Sequence, residues 1–406
     1  MRQESPTFRV EVRSANNLVK LTAADFLVRT AYQMGKTPLL PLMAATLGAD
    51  ALFLGMIVSV STLTGMGLKP LFGLLSDRWG RWSWLLGGTL LFAGMPFFYQ
   101  WIENPGELLL LRLVHGLATA IYGPVTLAWV AEQGSSNIAE RLGWFGMARS
   151  GGYLIGPSVA AALLTFMDPV SVFTVIGLLS ITALLPVMML RSMENLATPT
   201  KITWGKQFRE ALKSGLSLNE FWFAGSLECV VFLGIYAMKA FLPLLALEAG
   251  IAILWVGIFF SLQELTHILM RPLGGRLGDR YGHLLLAVSG MLLAAFALGL
   301  LPFTRDAFSL LPISLLFGAA QALIFPSTVA LFTNRINPRH TGSGAGLLGS
   351  MKNLGKVAGP VMGGWMVHTH EMSWMLWSMS SLLAFTGFGL MILVPAGRKT
   401  LVHTGR

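Results

Sequence analysis

Apolar runs of about twenty residues or more recur along the whole sequence, each long enough to cross a hydrocarbon core of ~30 Å at ~1.5 Å per helical residue. Twelve are read, at 20–47, 51–75, 82–102, 107–131, 141–167, 170–191, 218–247, 252–276, 283–303, 307–333, 341–367 and 372–395. The expectation is an all-α membrane protein with twelve transmembrane helices. With 54% hydrophobic and 12% charged residues and a mean hydropathy of +0.65, the chain lies far outside the soluble globular norm. The N-terminal stretch "MRQESPTFRVEVRSANN" has no apolar core behind its basic residues, so it does not read as a cleavable signal peptide, and the first span is expected to direct insertion. The single cysteine, Cys229, lies inside a span and leaves no intrachain disulfide or cysteine-cluster metal site to expect.

A net charge of +10 raises nucleic acid as a partner, and the placement of the charge argues against it. Basic residues gather in the N-terminal arm, the alternate loops, the central polar segment and the C-terminal tail. The other loops contain only Arg305, and carry Asp50, Glu103, Glu107, Asp168, Glu248, Asp306 and Glu371 there and at their helix ends. This is the positive-inside pattern of a cell-membrane protein with both termini in the cytoplasm.

The sequence also repeats itself. Shifted by 202 or 203 positions, "GLLSDRWGR" at 73–81 falls on "GRLGDRYGH" at 275–283, Lys69-Pro70 on Arg271-Pro272, Gly116 on Gly318, Pro124 on Pro326, and Gly156-Pro157 on Gly359-Pro360. Asp25 falls on Glu228, Lys36 on Lys239, and Arg149 on Lys352. A constant offset over six spans implies duplication, hence two six-helix halves related by a pseudo-two-fold axis: 1–190 and 218–406, joined by a polar linker at 191–217. Within the linker Trp204, Phe208 and Leu212 recur on one helical face and Lys206, Arg209 and Lys213 on the other, the pattern of an amphipathic helix lying on the cytoplasmic leaflet.

Twelve spans in two halves, with a charged glycine turn between spans 2 and 3 and its copy between spans 8 and 9, resemble the major facilitator superfamily over essentially the whole chain. A second signature of that family, glycines followed by Gly-Pro in helix 5, appears as "GGYLIGPSVAA" at 151–161, with Ala160 and Ala161 in place of the closing glycines; its helix 11 copy is "GKVAGPVMGG" at 355–364. A third, arginine before glycine in helix 4, appears as "RLVHG" at 112–116, with His115 where glutamine is commoner. The combination most resembles drug:proton antiporters. The resemblance implies alternating access, transport rather than catalysis, and a central cavity lined by helices 1, 4, 7 and 10, which would bring Lys36, Arg112, Lys239 and Gln321 to the route.

In physical terms Gly80 and Gly282 permit tight turns through positive φ. Asp77 and Asp279 suit helix N-termini, and Arg78, Arg81 and Arg280 suit a charged latch. Gly73 and Gly275 open the two copies, and Gly156-Pro157 with Gly359-Pro360 allow close helix approach and a bend. These residues are the expected gating set, with positive-inside anchoring, plain turns and simple packing as the structural alternatives.

Charges within the spans are the remaining signal. A basic side chain at the bilayer centre costs about 2.5–3.5 kcal/mol on insertion scales, so it has to face a cavity, a partner or the interface. Asp25, Arg29, Tyr32 and Lys36 share one face of helix 1; Glu228, Tyr236 and Lys239 repeat it on helix 7, with Phe232 in place of the arginine. Arg149 with Tyr153, and Lys352 with Lys356, follow on helices 5 and 11. Facing bases from both halves would bind an anion, and Lys36, Tyr32, Arg112, Arg149, Lys239, Tyr236, Gln321, Lys352 and Lys356 are the candidate substrate-binding residues. The structural alternative is that Asp25 and Glu228 neutralise neighbouring bases, and that Arg149 or Lys352 snorkels to the interface.

Proton coupling needs a group that titrates between states. Glu264, His267 and Arg271 share a face of helix 8, so Glu264 and His267, with Asp25 and Glu228, are the candidates. "GAGLLG" at 344–349 matches a dinucleotide fingerprint without its strand context, and His368 with His370 are too few for a metal site, so no cofactor or metal is expected. The partners expected are a small-molecule substrate, protons and the lipid bilayer, with no nucleic acid and a monomeric chain. The expected function is proton-coupled export of an anionic or amphiphilic solute. Import of an organic anion or sugar derivative is the alternative, and a membrane enzyme or a non-transporting sensor is the reading from another class.

Overall fold

The computed structural model describes residues 6–133, 138–190, 219–333 and 341–393. The expected linker helix at 191–217 lies outside the described residues. Among the described residues every element is helical and there is no strand. In chain order the helices are α1 (Pro6–Lys36), α2 (Leu39–Thr46), α3 (Ala51–Trp79), α4 (Arg81–Gly94), α5 (Pro105–Glu132), α6 (Ile138–Leu163), α7 (Pro169–Thr182), α8 (Leu184–Met188), α9 (Asn219–Glu248), α10 (Ile253–Tyr281), α11 (His283–Leu300), α12 (Ala307–Thr333), α13 (Thr341–Thr369) and α14 (Met372–Leu393), with 3-10 turns at Met95–Trp101 and Leu301–Phe303.

Among the described residues eight stretches are long and apolar enough to cross a membrane: Ala51–Trp79, Pro105–Glu132, Pro169–Met188, Trp222–Glu248, Ile253–Tyr281, His283–Phe303, Ala307–Thr333 and Met372–Ile392. The other four expected spans fall on helices that are interrupted or carry internal charge. The first is divided between α1 and α2 at Thr37-Pro38, where proline supplies no N–H to a continuing helix. The third is a short α4 continued by 3-10 turns; α6 carries Arg141 and Arg149, and α13 carries Lys352 and Lys356. Large apolar side chains such as Leu110, Phe296, Phe385 and Ile392 are exposed, as a lipid-facing surface requires and a soluble one disfavours.

The acids of the less basic loops have a local structural role. Asp50 accepts from Phe53 N at 2.7 Å, Asp168 from Ser171 N at 3.0 Å, and Asp306 from Ser309 N at 2.8 Å, each satisfying a free N–H at a helix start. Asn104 and Glu107 exchange similar bonds at the start of α5. These starts mark one end of α3, α5, α7 and α12, called here the Asp50 end.

The opposite end of α3 is closed by Gly80, whose φ of 87° is left-handed; Gly282, at 99°, closes α10 in the same way. Gly48 and Gly250 form a second left-handed pair with the same separation of 202 positions. Asp77, in the last turn of α3, pairs with Arg81 in the first turn of α4, and Arg81 Nη2 reaches Glu132 Oε1 at 2.6 Å at the end of α5. Burial opposes the Arg81 charge, and Glu132 and Asp77 more than offset this, holding its pKa above the ordinary arginine value. In the second copy His283 stands where Arg81 does, with Nε2 at 3.3 Å from Asp279 Oδ1. Arg280 stacks on Tyr281 at 5.2 Å and Arg78 is exposed, so of the three arginines expected in the latch Arg81 makes the ion pairs. Gly73 and Gly275 lie within regular helix.

Helix contacts recur in matched sets: α1 packs on α6 as α9 does on α13, and α3 on α5 as α10 does on α12. The two most extensive contacts between the earlier and the later helices are α3 with α13 and α6 with α10. Both cross at glycine. A Cβ on Gly55 would strike the carbonyl of Pro360, and one on Gly257 would strike Ala161 and the carbonyl of Pro157. Beside each crossing a serine donates to a helix carbonyl, Ser59 Oγ to Val357 O at 2.8 Å and Ser261 Oγ to Leu154 O. Gly156 and Gly359 face the other way, against α1 and α9. Each Gly-Pro pair therefore lets its helix lie close to one neighbour through the glycine and meet a second through the proline carbonyl. A continuous core around these crossings joins Met34, Leu54 and Phe173 to Phe241, Phe259 and Met375.

Filling a crossing should destabilise the protein by about 1–3 kcal/mol, the usual cost of overpacking. Gly55→Leu and Gly257→Leu are expected to lower the unfolding midpoint in detergent, while Gly67→Leu, where a side chain meets open space, is not. Equal behaviour of the three variants would rule out close packing at the crossings.

Candidate functional site

Beyond the crossings, toward the Gly80 end, the helices enclose a cavity of about 590 Å3. It begins at Thr62 on α3 and is bounded on α13 by residues up to Lys356, just before Pro360. Among the described residues five basic ones line it, Arg29, Lys36, Lys69, Arg149 and Lys356, and no acidic one does, so this wall is strongly cationic. Tyr32, Tyr153 and Tyr236 supply aromatic faces, and Met66, Leu127, Pro70 and Pro124 apolar ones.

Two of these bases already have a counter-charge. Arg149 grips Asp25 through both oxygens, Nε to Oδ2 at 2.9 Å and Nη2 to Oδ1 at 2.8 Å, and Nη2 also donates to Thr126 Oγ1 at 3.1 Å. Arg29 Nε lies 3.6 Å from the same carboxylate. Asp25 is only 1% exposed, so this bidentate pairing offsets a desolvation cost that the carboxylate could not bear alone.

A corresponding carboxylate, base and threonine stand in the later helices, but there the threonine bonds the acid rather than the base. Glu228, fully buried, accepts from Thr328 Oγ1 at 2.6 Å and faces Lys352 Nζ at 3.7 Å. Lys352 also sits over the rings of Phe232 and Phe325 at 4.9 and 5.5 Å. The second unit is looser: one longer ion-pair contact replaces a fork of two hydrogen bonds, and Glu228 Oε2 makes no hydrogen bond. Thr126 and Thr328 complete the two units and were not singled out from the sequence, since a threonine on an apolar helix commonly bonds its own backbone.

The other bases are held by rings and hydroxyls. Lys36 Nζ lies 3.5 Å from Thr62 Oγ1 and over the rings of Tyr32 and Tyr236 at 5.8 and 5.0 Å. Lys356 lies over Phe232 and Tyr236 at 4.9 and 5.3 Å. Arg112, 1% exposed, donates to Ser61 Oγ at 2.8 Å and Tyr99 Oη at 3.3 Å, and Tyr99 contacts His115 Nδ1 at 3.4 Å. Arg112 and His115 thus form a buried polar cluster behind the cavity wall.

Of the candidate substrate residues, the structure brings Tyr32, Lys36, Arg149, Tyr236 and Lys356 onto the cavity. Lys239 sits between the rings of Tyr236 and Phe260 at 5.7 and 5.8 Å, outside the lining, and Gln321 is buried on α12. Arg29 and Lys69 are lining bases outside the candidate substrate set. Arg29 was read only on the polar face of helix 1, and Lys69 only as a basic residue within a span that the repeat matches to Arg271. Glu264 and His267 are together on α10, Oε1 to Nδ1 at 3.6 Å, and His267 faces a separate gap between α6 and α10 with Arg271.

Removing one partner of the buried Asp25–Arg149 pair should cost about 3–5 kcal/mol, because a charge is left uncompensated. Asp25→Asn is expected to lower the unfolding midpoint sharply, and the double variant Asp25→Asn/Arg149→Gln to lose less than the sum of the two single losses. Additive losses in a double-mutant cycle would show the pair to be uncoupled.

The sequence profile of the Major Facilitator Superfamily matches residues 26–360 and 224–404. The quinolone resistance protein NorA of Staphylococcus aureus is 26% identical over 347 residues, covering 82% of this chain and 85% of that protein. A multi-drug resistance efflux pump PmrA homolog of Lactococcus lactis is 27% identical over 345 residues, covering 80% and 82%. Among solved structures, the nucleoside transporter NupG superposes with a TM-score of 0.76 at 16% identity, over 93% of this chain and 99% of that one. The human organic anion transporter MFSD10 gives 0.68 at 19%, over 95% and 100%. The structural likenesses establish the fold, and the profile establishes the family. The chain belongs to the Major Facilitator Superfamily and is a multi-pass membrane transporter, not an enzyme, similar to drug efflux members of that family.

Proposed function

We propose that this transporter exports an anionic or amphiphilic organic solute in exchange for protons. The observation that carries the charge preference is a cavity wall with five bases and no acid. Its tyrosines and apolar residues suit an organic body, and its volume is that of a small-molecule site. Export is supported by the efflux relatives.

The reading includes twelve spans in two six-helix halves. Its support is the matched set of features at one offset: the left-handed glycines, the two glycine–proline crossings with their serines, and the two carboxylate–base–threonine units. With cytoplasmic termini, as the basic loops favour, the cavity lies on the cytoplasmic side of the crossings and this conformer receives solute from within. Transport would then require the crossings to part while the Gly80 end closes.

Glu264 is assigned the proton. Asp25 and Glu228 each have an arginine or lysine in direct ion-pair contact, whereas among the described residues Glu264 has only His267 in that range. A carboxylate with no arginine or lysine in direct contact can take up a proton without breaking an ion pair to a permanent cation.

Two measurements test the proposal. Thermal stabilisation of the purified chain is expected with organic anions over size-matched cations and neutral compounds, and is expected to be lost in Lys36→Ala and Lys356→Ala. A response confined to lipophilic cations, unchanged in both variants, would overturn the charge preference. In proteoliposomes Glu264→Gln is expected to abolish flux driven by a pH gradient while substrate still stabilises the protein. Full pH-driven flux in that variant would move the proton elsewhere.

A further inference from the structure

The cavity lining is richer in positive charge than one anionic group requires, and the excess is arranged around one ring. Arg29 and Arg149 share the single charge of Asp25 and keep one unit of positive charge between them, while Lys36, Lys69 and Lys356 are lining bases outside that cluster. Among the described residues none of these three has a carboxylate in ion-pair contact. Lys36 Nζ stands 5.0 Å and Lys356 Nζ 5.3 Å from the centre of the Tyr236 ring, so the two ammonium groups are at most about 10 Å apart. A third, Lys239, stands 5.7 Å from the same ring. The ring's quadrupole attracts each cation weakly and does nothing to separate them from one another.

We infer that the transported solute carries two negative charges, met by Lys36 of α1 and Lys356 of α13 beside Tyr236. This inference rests on the anion-carrier reading and narrows it. One anionic group placed against either lysine leaves the other uncompensated in a low-dielectric cavity, where like charges repel most strongly. Two negative charges compensate both and still leave Lys69, two helical turns beyond Thr62, to attract the solute toward the site. They also tie the earlier helices to the later ones, because Lys36 is on α1 and Lys356 on α13.

The two sides of the cavity differ in a way that fits this. Lys356 corresponds by the repeat to Tyr153, which also lines the cavity. The α13 side therefore offers an ammonium where the α6 side offers a phenol. A solute with an apolar or aromatic body lies against Tyr153, Leu127 and Met66, with its second charge toward α13. The class is a dianionic amphiphile, either a dicarboxylate or a phosphate monoester on a compact organic frame.

Isothermal titration of the purified full-length chain with four compounds on one naphthalene frame separates the cases: 2-naphthylmethanol, 2-naphthoate, 2,6-naphthalenedicarboxylate and 1-naphthyl phosphate. At least one dianion is expected to bind roughly tenfold or more tightly than 2-naphthoate, about 1.4 kcal/mol at that ratio. Lys36→Gln and Lys356→Gln are each expected to reduce that advantage to within about twofold. Preference for the phosphate would place both charges on one head, and preference for the dicarboxylate would place them apart. Equal binding of 2-naphthoate and both dianions to the unmodified chain overturns the inference while leaving an anion carrier in place. So does a dianion advantage that survives both substitutions. Binding of 2-naphthylmethanol alone would defeat the anion-carrier reading itself, so the two failures are distinguishable.

Discussion

The two glycine–proline crossings are the constraint on which the rest of the structure depends. Helices in a bilayer gain little from burying apolar surface against one another, because lipid is as apolar as leucine; close backbone approach and hydrogen bonds must hold them instead. At Gly55 on Pro360 and Gly257 on Pro157 the backbones come near enough that no Cβ fits, and Ser59 and Ser261 add a hydrogen bond at each contact. Because both crossings are at the Asp50 end, the helices are free to diverge toward the Gly80 end. The cavity is the space that this divergence leaves.

Charge is then sorted by depth and partner. Asp25 and Glu228, which have no access to water, are compensated within their own helix groups, Asp25 by Arg149 and Glu228 by Lys352 and the Thr328 hydroxyl. Arg112 donates through its two terminal nitrogens to a serine and a tyrosine, while its Nε makes no hydrogen bond and no carboxylate is in ion-pair contact among the described residues. The lysines that face the open cavity are left with rings and a hydroxyl. A group sealed from water needs its counter-charge permanently, whereas one on a cavity wall can wait for a ligand or remain hydrated. This division separates bases that stabilise the fold from bases available to a solute.

The internal repeat preserves geometry while changing chemistry at corresponding places. Arg149 becomes Lys352, Arg29 becomes Phe232, Tyr153 becomes Lys356, and Arg81 in the latch becomes His283. Each change loosens or redistributes charge in the later half: the fork on Asp25 becomes one longer contact on Glu228, and an always-charged guanidinium beside Asp77 becomes an imidazole beside Asp279. The parts that stay alike are the glycine turns and the crossings, where backbone geometry leaves little freedom to change.

Much of this was legible in the residue order. Lengths of apolar sequence announced membrane helices, the offset of 202 or 203 paired their parts, and glycine after Asp-Arg marked turns whose left-handed backbone the structure contains. These are local properties: helix formation, turn geometry and hydropathy depend on neighbours along the chain. Which charges neutralise one another is not local. Asp25 and Arg149 are 124 positions apart, and helical periodicity says which face each occupies but not which face of another helix it meets. For that reason the candidate list included Lys239, which lies outside the cavity lining, and omitted Lys69, which is part of it. Residue order established a duplicated, helical, cation-bearing membrane chain; only packing in three dimensions decided which cations were paired and which faced open space, because that choice depends on distances between helices that no single helix encodes.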